Sequence, residues 1–68
     1  MDKNRLRSFM ALHGDTNKTL SEAIGISERS FSNKINETRA QFVQSEITAI
    51  KDRYSLSDRD VISIFFAG

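Results

Sequence analysis

The sequence contains no cysteine, no proline and no tryptophan, and only three of its 68 residues are glycine. The absence of cysteine excludes a disulfide framework, thiolate metal ligands and a cysteine nucleophile, and it fits a reducing cytoplasm. Long apolar runs are also missing, since a run such as Phe9–Leu12 spans four residues, whereas a membrane-spanning helix needs about 20. The N-terminus lacks the apolar segment of a secretory signal. These absences favour a small cytoplasmic protein without a membrane segment.

What is present is an ordinary globular composition, with 38% hydrophobic and 28% charged residues. A chain of this length forms one small domain, residues 1–68, around a single modest core. Its net charge of +1 does not by itself indicate a nucleic-acid binder. The charge is unevenly distributed, however, with a balance of +2 over residues 1–18, +1 over residues 27–39 and −1 over residues 40–68. The small positive excess therefore lies in the N-terminal half.

Apolar residues recur at helical spacing along the whole chain. Together with capping residues, this spacing predicts five helices, over residues 3–13, 17–24, 28–36, 45–54 and 58–66. The residues expected to cap helix starts are Asp2, Thr16, Ser27 and Ser57. No alternating strand pattern extends over more than a few residues. The sequence therefore predicts an all-α fold, a compact domain of five helices.

The most informative segment runs from Thr16 to Ile35, where two short helices are separated only by Gly25-Ile26-Ser27. A short turn containing glycine is typical of two helices that cross, as in a helix-turn-helix. Gly25 can take the positive φ that such a turn needs, and Ser27 can cap the second helix. Two core helices joined by a glycine turn would show the same pattern, so the turn alone leaves DNA binding open.

The second helix of this pair carries polar groups suited to reading DNA bases. Phe31 and Ile35 must point inward, which leaves the other side for polar residues. The outward or flanking residues are Glu28, Arg29, Ser32, Asn33 and Lys34. Arginine pairs with guanine, asparagine with adenine and glutamate with cytosine, while serine can contact a base or a phosphate. For one or two of these residues, a merely solvated helix face is the alternative.

The same segment resembles the helix-turn-helix family of Cro and repressor proteins from phages and bacteria. Residues 20–27 read LSEAIGIS and look like the family's LAxxLGIS core, and residues 31–36 read FSNKIN and look like the end of its recognition helix. The resemblance implies a lambda-repressor-like fold, with helix 28–36 in the major groove of an operator. Two departures are Glu37, where glycine is common, and Lys34, at a position that is often apolar. Glu37 raises the expectation that the following loop runs differently.

The resemblance also implies roles for individual residues. Base reading would come from Glu28, Arg29 and Asn33, with Ser32 beside them. Phosphate contacts would come from Asn17, Ser27 and Lys34. To these we add two nearby cations, Lys18 and Arg39, although a lone arginine in a loop is more often simply exposed.

The sequence therefore predicts a sequence-specific transcriptional regulator, Cro-like and of phage or prophage origin, that binds a double-stranded DNA operator. Because one recognition helix covers only a few base pairs, we expect a homodimer on DNA. An enzyme is not expected, because His13 has no nucleophile or carboxylate constellation around it. The sequence also indicates no metal site and no cofactor.

The alternative is a small modulator or antirepressor that binds a partner repressor. Its contact surface would be the apolar C-terminal residues Ile62, Phe65 and Phe66, because contiguous exposed apolar surface is uncommon on monomers. Closure of the core by the last helix explains the same residues equally well. The sequence leaves both explanations open.

Overall fold

The computed structural model describes residues 1–66, which form five α-helices and no strand. In chain order the helices are α1 (Lys3–Leu12), α2 (Asn17–Ile24), α3 (Glu28–Ile35), α4 (Gln44–Tyr54) and α5 (Asp58–Phe65). Over these residues the prediction of an all-α, five-helix architecture is confirmed, and every predicted helix end lies within one residue of the observed one. The molecule measures 27 × 25 × 20 Å, so the five short helices form a compact body.

Side chains that accept hydrogen bonds from the first turn begin four of the helices, as predicted. These capping residues are Asp2, Thr16, Ser27 and Ser57. The start of α4 is different, because Val43 precedes it and has no side-chain oxygen. Glu46 compensates by accepting a hydrogen bond from the Val43 amide at 3.0 Å. A carboxylate in the first turn is also favoured by the helix dipole.

Each of the first four helices is followed, within two residues, by a residue in the left-handed conformation. These residues are Gly14, Gly25, Glu37 and Ser55, with φ of 72°, 80°, 55° and 52°. After α3, for example, the Thr38 amide donates to the Asn33 carbonyl at 2.8 Å, which closes the helix end. Glu37 thus adopts the backbone conformation usually left to glycine, so its substitution for glycine does not prevent this helix ending.

The core lies where the five helices meet. α2 packs on α3 and α4, while α5 packs on α1 and α4. The buried side chains of the core are Leu6, Met10, Leu20, Phe31, Ile35, Ile50, Tyr54, Leu56 and Ile64. Burying such side chains is the main favourable contribution to folding in a domain of this size.

Phe42 extends this core towards α5. Its ring lies edge-on to Phe31 and to Phe65, with ring centroids 5.7 Å and 5.6 Å apart. Phe65 is therefore packed against the core and does not belong to the exposed apolar surface expected from the sequence. Ile62 and Phe66 are exposed, at 59% and 63% of their surface. Of the two explanations for the C-terminal apolar residues, core closure applies to Phe65 and surface exposure to Ile62 and Phe66.

Candidate nucleic-acid interface

A three-residue turn, Gly25-Ile26-Ser27, joins α2 to α3, and the two helices pack against each other. Gly25 has φ of 80°, and a Cβ atom there would meet no other atom within 4 Å. Backbone conformation, rather than lack of space, therefore favours glycine at this position. Ile26 packs partly buried against the core. The small, buried Ser21 of α2 donates to the Lys18 carbonyl at 2.8 Å, so its buried hydroxyl group is hydrogen-bonded within α2.

The two sides of α3 are used differently. Phe31 and Ile35 are buried, which holds one side of the helix on the core. The exposed side carries Glu28, Arg29 and Asn33, which we call the outer face of α3. Within residues 1–66, none of these three side chains takes part in a hydrogen bond or an ion pair. Their donors and acceptors are therefore available to a partner. Ser32 lies beside them and is half-buried.

The other residues expected to contact DNA surround this face along the chain. Ser27 caps α3 by accepting from the Ser30 amide at 3.0 Å, and its hydroxyl is exposed. Asn17 and Lys18 open α2, the first half-buried and the second exposed. Arg39 is exposed in the loop after α3 and has φ of 67°. All four lie at a helix start or in a loop.

Lys34 is held away from this set by Glu46 of α4. Its Nζ atom lies 2.7 Å and 2.6 Å from the two carboxylate oxygens, and the two side chains are only 16% and 9% exposed. Burial raises the pKa of Glu46, but hydrogen bonds from Lys34 and from the Val43 amide outweigh it, so the pKa lies below its ordinary value of 4.5. Lys34 therefore serves an internal ion pair and is not a free surface cation.

Ion pairing makes the distribution of free charge more uneven than the sequence indicates. Lys51 and Arg53 of α4 are paired with Asp58 and Asp15. Several cations in residues 1–66 have no acidic partner, and only one of them, Arg59, lies beyond residue 39. The others are Lys3, Arg5, Arg7, Lys18, Arg29 and Arg39. Unpaired acids in the same N-terminal part are fewer, namely Asp2, Glu22 and Glu28. Uncompensated positive charge is thus concentrated on the part of the chain that contains α2 and α3.

A polar cluster that sequence reasoning missed joins the connection before α2 to the end of α4. The Asp15 side chain, only 5% exposed, accepts from Arg53 Nε and Nη2, both at 2.8 Å. It also accepts from the Tyr54 hydroxyl at 2.6 Å and from Thr19 Oγ1 at 2.9 Å. We call these four residues the Asp15 cluster. Because Asp15 directly precedes the Thr16 cap, the cluster fixes where α2 begins.

The Asp15 cluster strongly shifts the proton affinities of its members. The hydrogen bond from Arg53, together with the two from hydroxyl groups, outweighs burial and holds the pKa of Asp15 far below its ordinary value of 3.8. Burial, followed by the hydrogen bond to Asp15, raises the pKa of Tyr54 well above its ordinary value of 10.0. The His13 ring stacks on Tyr54, with ring centroids 4.6 Å apart. Charge in the cluster is thus internally satisfied, which is typical of a structural site.

Comparisons of the chain with models of protein families, with curated proteins and with solved structures found no match. No helix among the described residues is long and apolar enough to cross a membrane. In the same part of the chain, no three histidine or acidic side chains converge as metal ligands would.

Proposed function

We propose that the protein is a sequence-specific DNA-binding transcriptional regulator of the Cro/repressor helix-turn-helix type, of phage or prophage origin. In this proposal α3 enters the major groove of an operator. The observation that carries it is the outer face of α3, whose side chains are exposed and have no partner within residues 1–66, opposite a buried apolar side. A helix held rigidly on one side and free to hydrogen-bond on the other has what direct reading of base edges requires.

Each residue of this face has a preferred base. Arg29 can donate two hydrogen bonds to guanine, and Asn33 can pair with adenine through both its amide atoms. Glu28 can accept from the amino group of cytosine. Ser32, half-buried beside them, can contact a base or a phosphate. The residues nearest the start of α3 would meet the bases first, as in other helix-turn-helix proteins.

Phosphate contacts complete the proposed interface. Asn17 and Lys18 lie in the first turn of α2, and Ser27 lies at the start of α3. Free backbone amides and the helix dipole favour an anion at such positions. Arg39, exposed after α3, adds a cation on the same part of the chain. Lys34, which the sequence suggested as a further contact, is omitted because its ammonium group is bound to Glu46.

A homodimer on DNA follows from the size of the proposed reading element. One short helix covers only a few base pairs, and two copies related by a two-fold axis would place their recognition helices about 34 Å apart, one turn of DNA. The expected operator is therefore a palindrome. Such a regulator would act in the cytoplasm, where the DNA of a phage or its bacterial host lies.

The proposal is tested by selecting bound duplexes from a random DNA pool and then comparing variants on the selected site. Arg29→Ala and Asn33→Ala should each weaken binding by about 1–3 kcal/mol, or about 5- to 150-fold, and relax the preference at one base pair. Arg59→Ala is the matched control, because it removes an exposed cation from α5 and should leave the preference unchanged. A wild-type protein that selects no sequence, together with variants that bind every duplex equally well, would contradict the proposal.

A second candidate is the modulator that binds a partner repressor. It is favoured by the exposure of Ile62 on α5 and of Phe66 directly after this helix, four positions apart. Such a protein would show a shallow salt dependence of DNA binding, whereas an operator binder loses affinity with a log–log slope of about −0.9 per phosphate contacted. Size-exclusion chromatography with the cognate repressor, before and after Phe66→Ser, distinguishes the two. If no complex with the repressor forms, the modulator function is rejected.

A further inference from the structure

We propose that Lys34 and Glu46 are a positioning pair that fixes how the C-terminal turn of α3 sits against α4, so that Lys34 supports DNA reading without contacting DNA. The inference rests on the proposed function. It deepens that function by giving Lys34, an expected phosphate ligand, and Glu46, a residue with no expected role, one shared task.

The pair lies between the last turn of α3 and the first turn of α4. α3 packs chiefly on α2, whereas α4 packs on α2 and α5. The Lys34–Glu46 pair is the direct polar link between α3 and α4 among the described side chains, and it spans twelve positions of the chain. Lys34 lies in the last turn of α3, directly after Asn33. Any movement of this turn therefore moves a residue proposed to read a base.

A single carboxylate, that of Glu46, is hydrogen-bonded to groups at both helices. Glu46 accepts from the Val43 amide through Oε1 at 3.0 Å, which caps the start of α4. Both of its oxygens also accept from Lys34 Nζ, at 2.7 Å and 2.6 Å. The first turn of α4 and the last turn of α3 are thus held by the same group. A position defined by several hydrogen bonds is more precise than one defined by apolar packing alone.

Moving the Lys34 ammonium group to a phosphate would break its ion pair with Glu46. Glu46 would then remain as a buried carboxylate without its counter-ion, which is strongly unfavourable. An exposed lysine such as Lys18 reaches a phosphate without that penalty. The two roles for Lys34 are therefore mutually exclusive, and they predict opposite effects for the same substitution.

Glu46→Gln separates the two roles by the sign of its effect on DNA binding. Glutamine keeps an oxygen for the Val43 amide but loses the charge that holds Lys34. If the pair positions α3, affinity for the selected operator should fall about tenfold even though the protein has lost a negative charge. If Lys34 contacts phosphate, Glu46→Gln should instead strengthen binding, because Lys34 no longer has to leave a buried carboxylate, and the salt slope should stay that of the wild type. Asp52→Asn is the matched control, since it removes an exposed acid from the same helix. It should not weaken binding to the operator.

A double variant, Lys34→Met with Glu46→Gln, supports the test and replaces the single variant if that does not fold. It leaves no uncompensated buried charge, so it retains a folded core. Under the positioning role it should bind about as weakly as Glu46→Gln, because the two changes break the same link, and its salt slope should equal that of the wild type. A slope shallower by about 0.9 would show a lost phosphate contact and overturn the inference.

Hydrogen exchange of the α3 amides gives a readout that does not depend on DNA. Loss of the link in Glu46→Gln should speed exchange in the last turn of α3 more than in α1, under conditions where the protein stays folded. An equal change in exchange rate in both helices, relative to the wild type, would overturn the positioning role. If the wild type selects no DNA sequence, the proposed function fails, yet the exchange experiment still decides whether the pair holds α3 in place.

Discussion

The outer face of α3 and the Asp15 cluster are both polar, but they differ in whether their side chains are hydrogen-bonded within the described part of the protein. In the Asp15 cluster, one carboxylate accepts four hydrogen bonds from three side chains and is almost completely buried. On the outer face of α3, the three side chains are exposed and bond to nothing else in residues 1–66. Internally satisfied groups contribute to stability, whereas unpartnered exposed groups cost little and are available for binding. The comparison separates the part of the molecule that maintains the fold from the part that can recognise a ligand.

The largest effect on stability is expected from Asp15→Asn. The asparagine amide has no charge to face Arg53. Its NH2 group is a donor and would take the place of an oxygen that accepts hydrogen bonds. We expect the free energy of unfolding to fall by about 2–3 kcal/mol, measured by urea denaturation. Asp52→Asn, the same change at an exposed site on α4, should alter it by less than about 0.5 kcal/mol. Equal effects from the two variants would show that the cluster contributes no special stability.

Acid should weaken the fold through the same carboxylate. The pKa of Asp15 is lowered in the folded protein, and so is that of Glu46. Each therefore contributes stability that is present above its ordinary pKa and is lost as the pH falls towards the lower, folded-state pKa. Unfolding free energy should accordingly decrease from about pH 5 to about pH 2. In Asp15→Asn this decrease should be smaller, and an unchanged profile would argue against the role of Asp15.

Ser55→Gly should stabilise the protein without changing either region. Ser55 ends α4 with φ of 52°, a conformation that costs a non-glycine residue about 1 kcal/mol. Its side chain makes no hydrogen bond within the described residues, so little is lost on replacement. We expect an increase of about 1 kcal/mol in the unfolding free energy and unchanged DNA binding. Ser55→Ala, which keeps the strained conformation, is the control and should give no such increase.

The smallest effect on stability is expected on the outer face of α3. Arg29→Ala and Asn33→Ala remove side chains that have no partner among residues 1–66, so the unfolding free energy should change by less than about 0.5 kcal/mol. The same variants are the ones expected to change DNA selection most. A loss of stability comparable to that of Asp15→Asn would mean that this face maintains the fold and is not free for recognition.

Local features of the fold could be predicted because their signals lie within one or two helical turns. The caps Thr16 and Ser27, and the spacing of Phe31 and Ile35, involve residues three or four positions apart, which a reader of the sequence can see directly. The positive φ of Gly25 could also be predicted, since its residue type indicates its backbone conformation. For the same reason, the exposure of the polar side of α3 could be anticipated.

The long-range contacts could not be predicted in this way. Asp15 and Arg53 are 38 positions apart, and nothing in the sequence distinguishes this acid–base pair from the many others that the charges allow. Lys34 lies beside polar neighbours on α3, and only the packed position of α4 brings Glu46 to it. Phe65 and Phe66 are adjacent and chemically identical, so only the position of the Phe42 ring shows that Phe65 packs against the core while Phe66 is exposed. Glu37 and Ser55 carry no residue-type signal for the left-handed conformation.

The self-contained helix ends have a consequence for how quickly the chain folds. Capping side chains sit directly before four of the five helices, and the sequence contains no proline whose isomerisation could delay folding. Helical domains with mostly local contacts fold within about microseconds to milliseconds. We therefore expect refolding in a single fast phase, with the Asp15–Arg53 link forming after the helices because its two residues lie 38 positions apart in the chain. A protein of this kind recovers from transient unfolding almost at once.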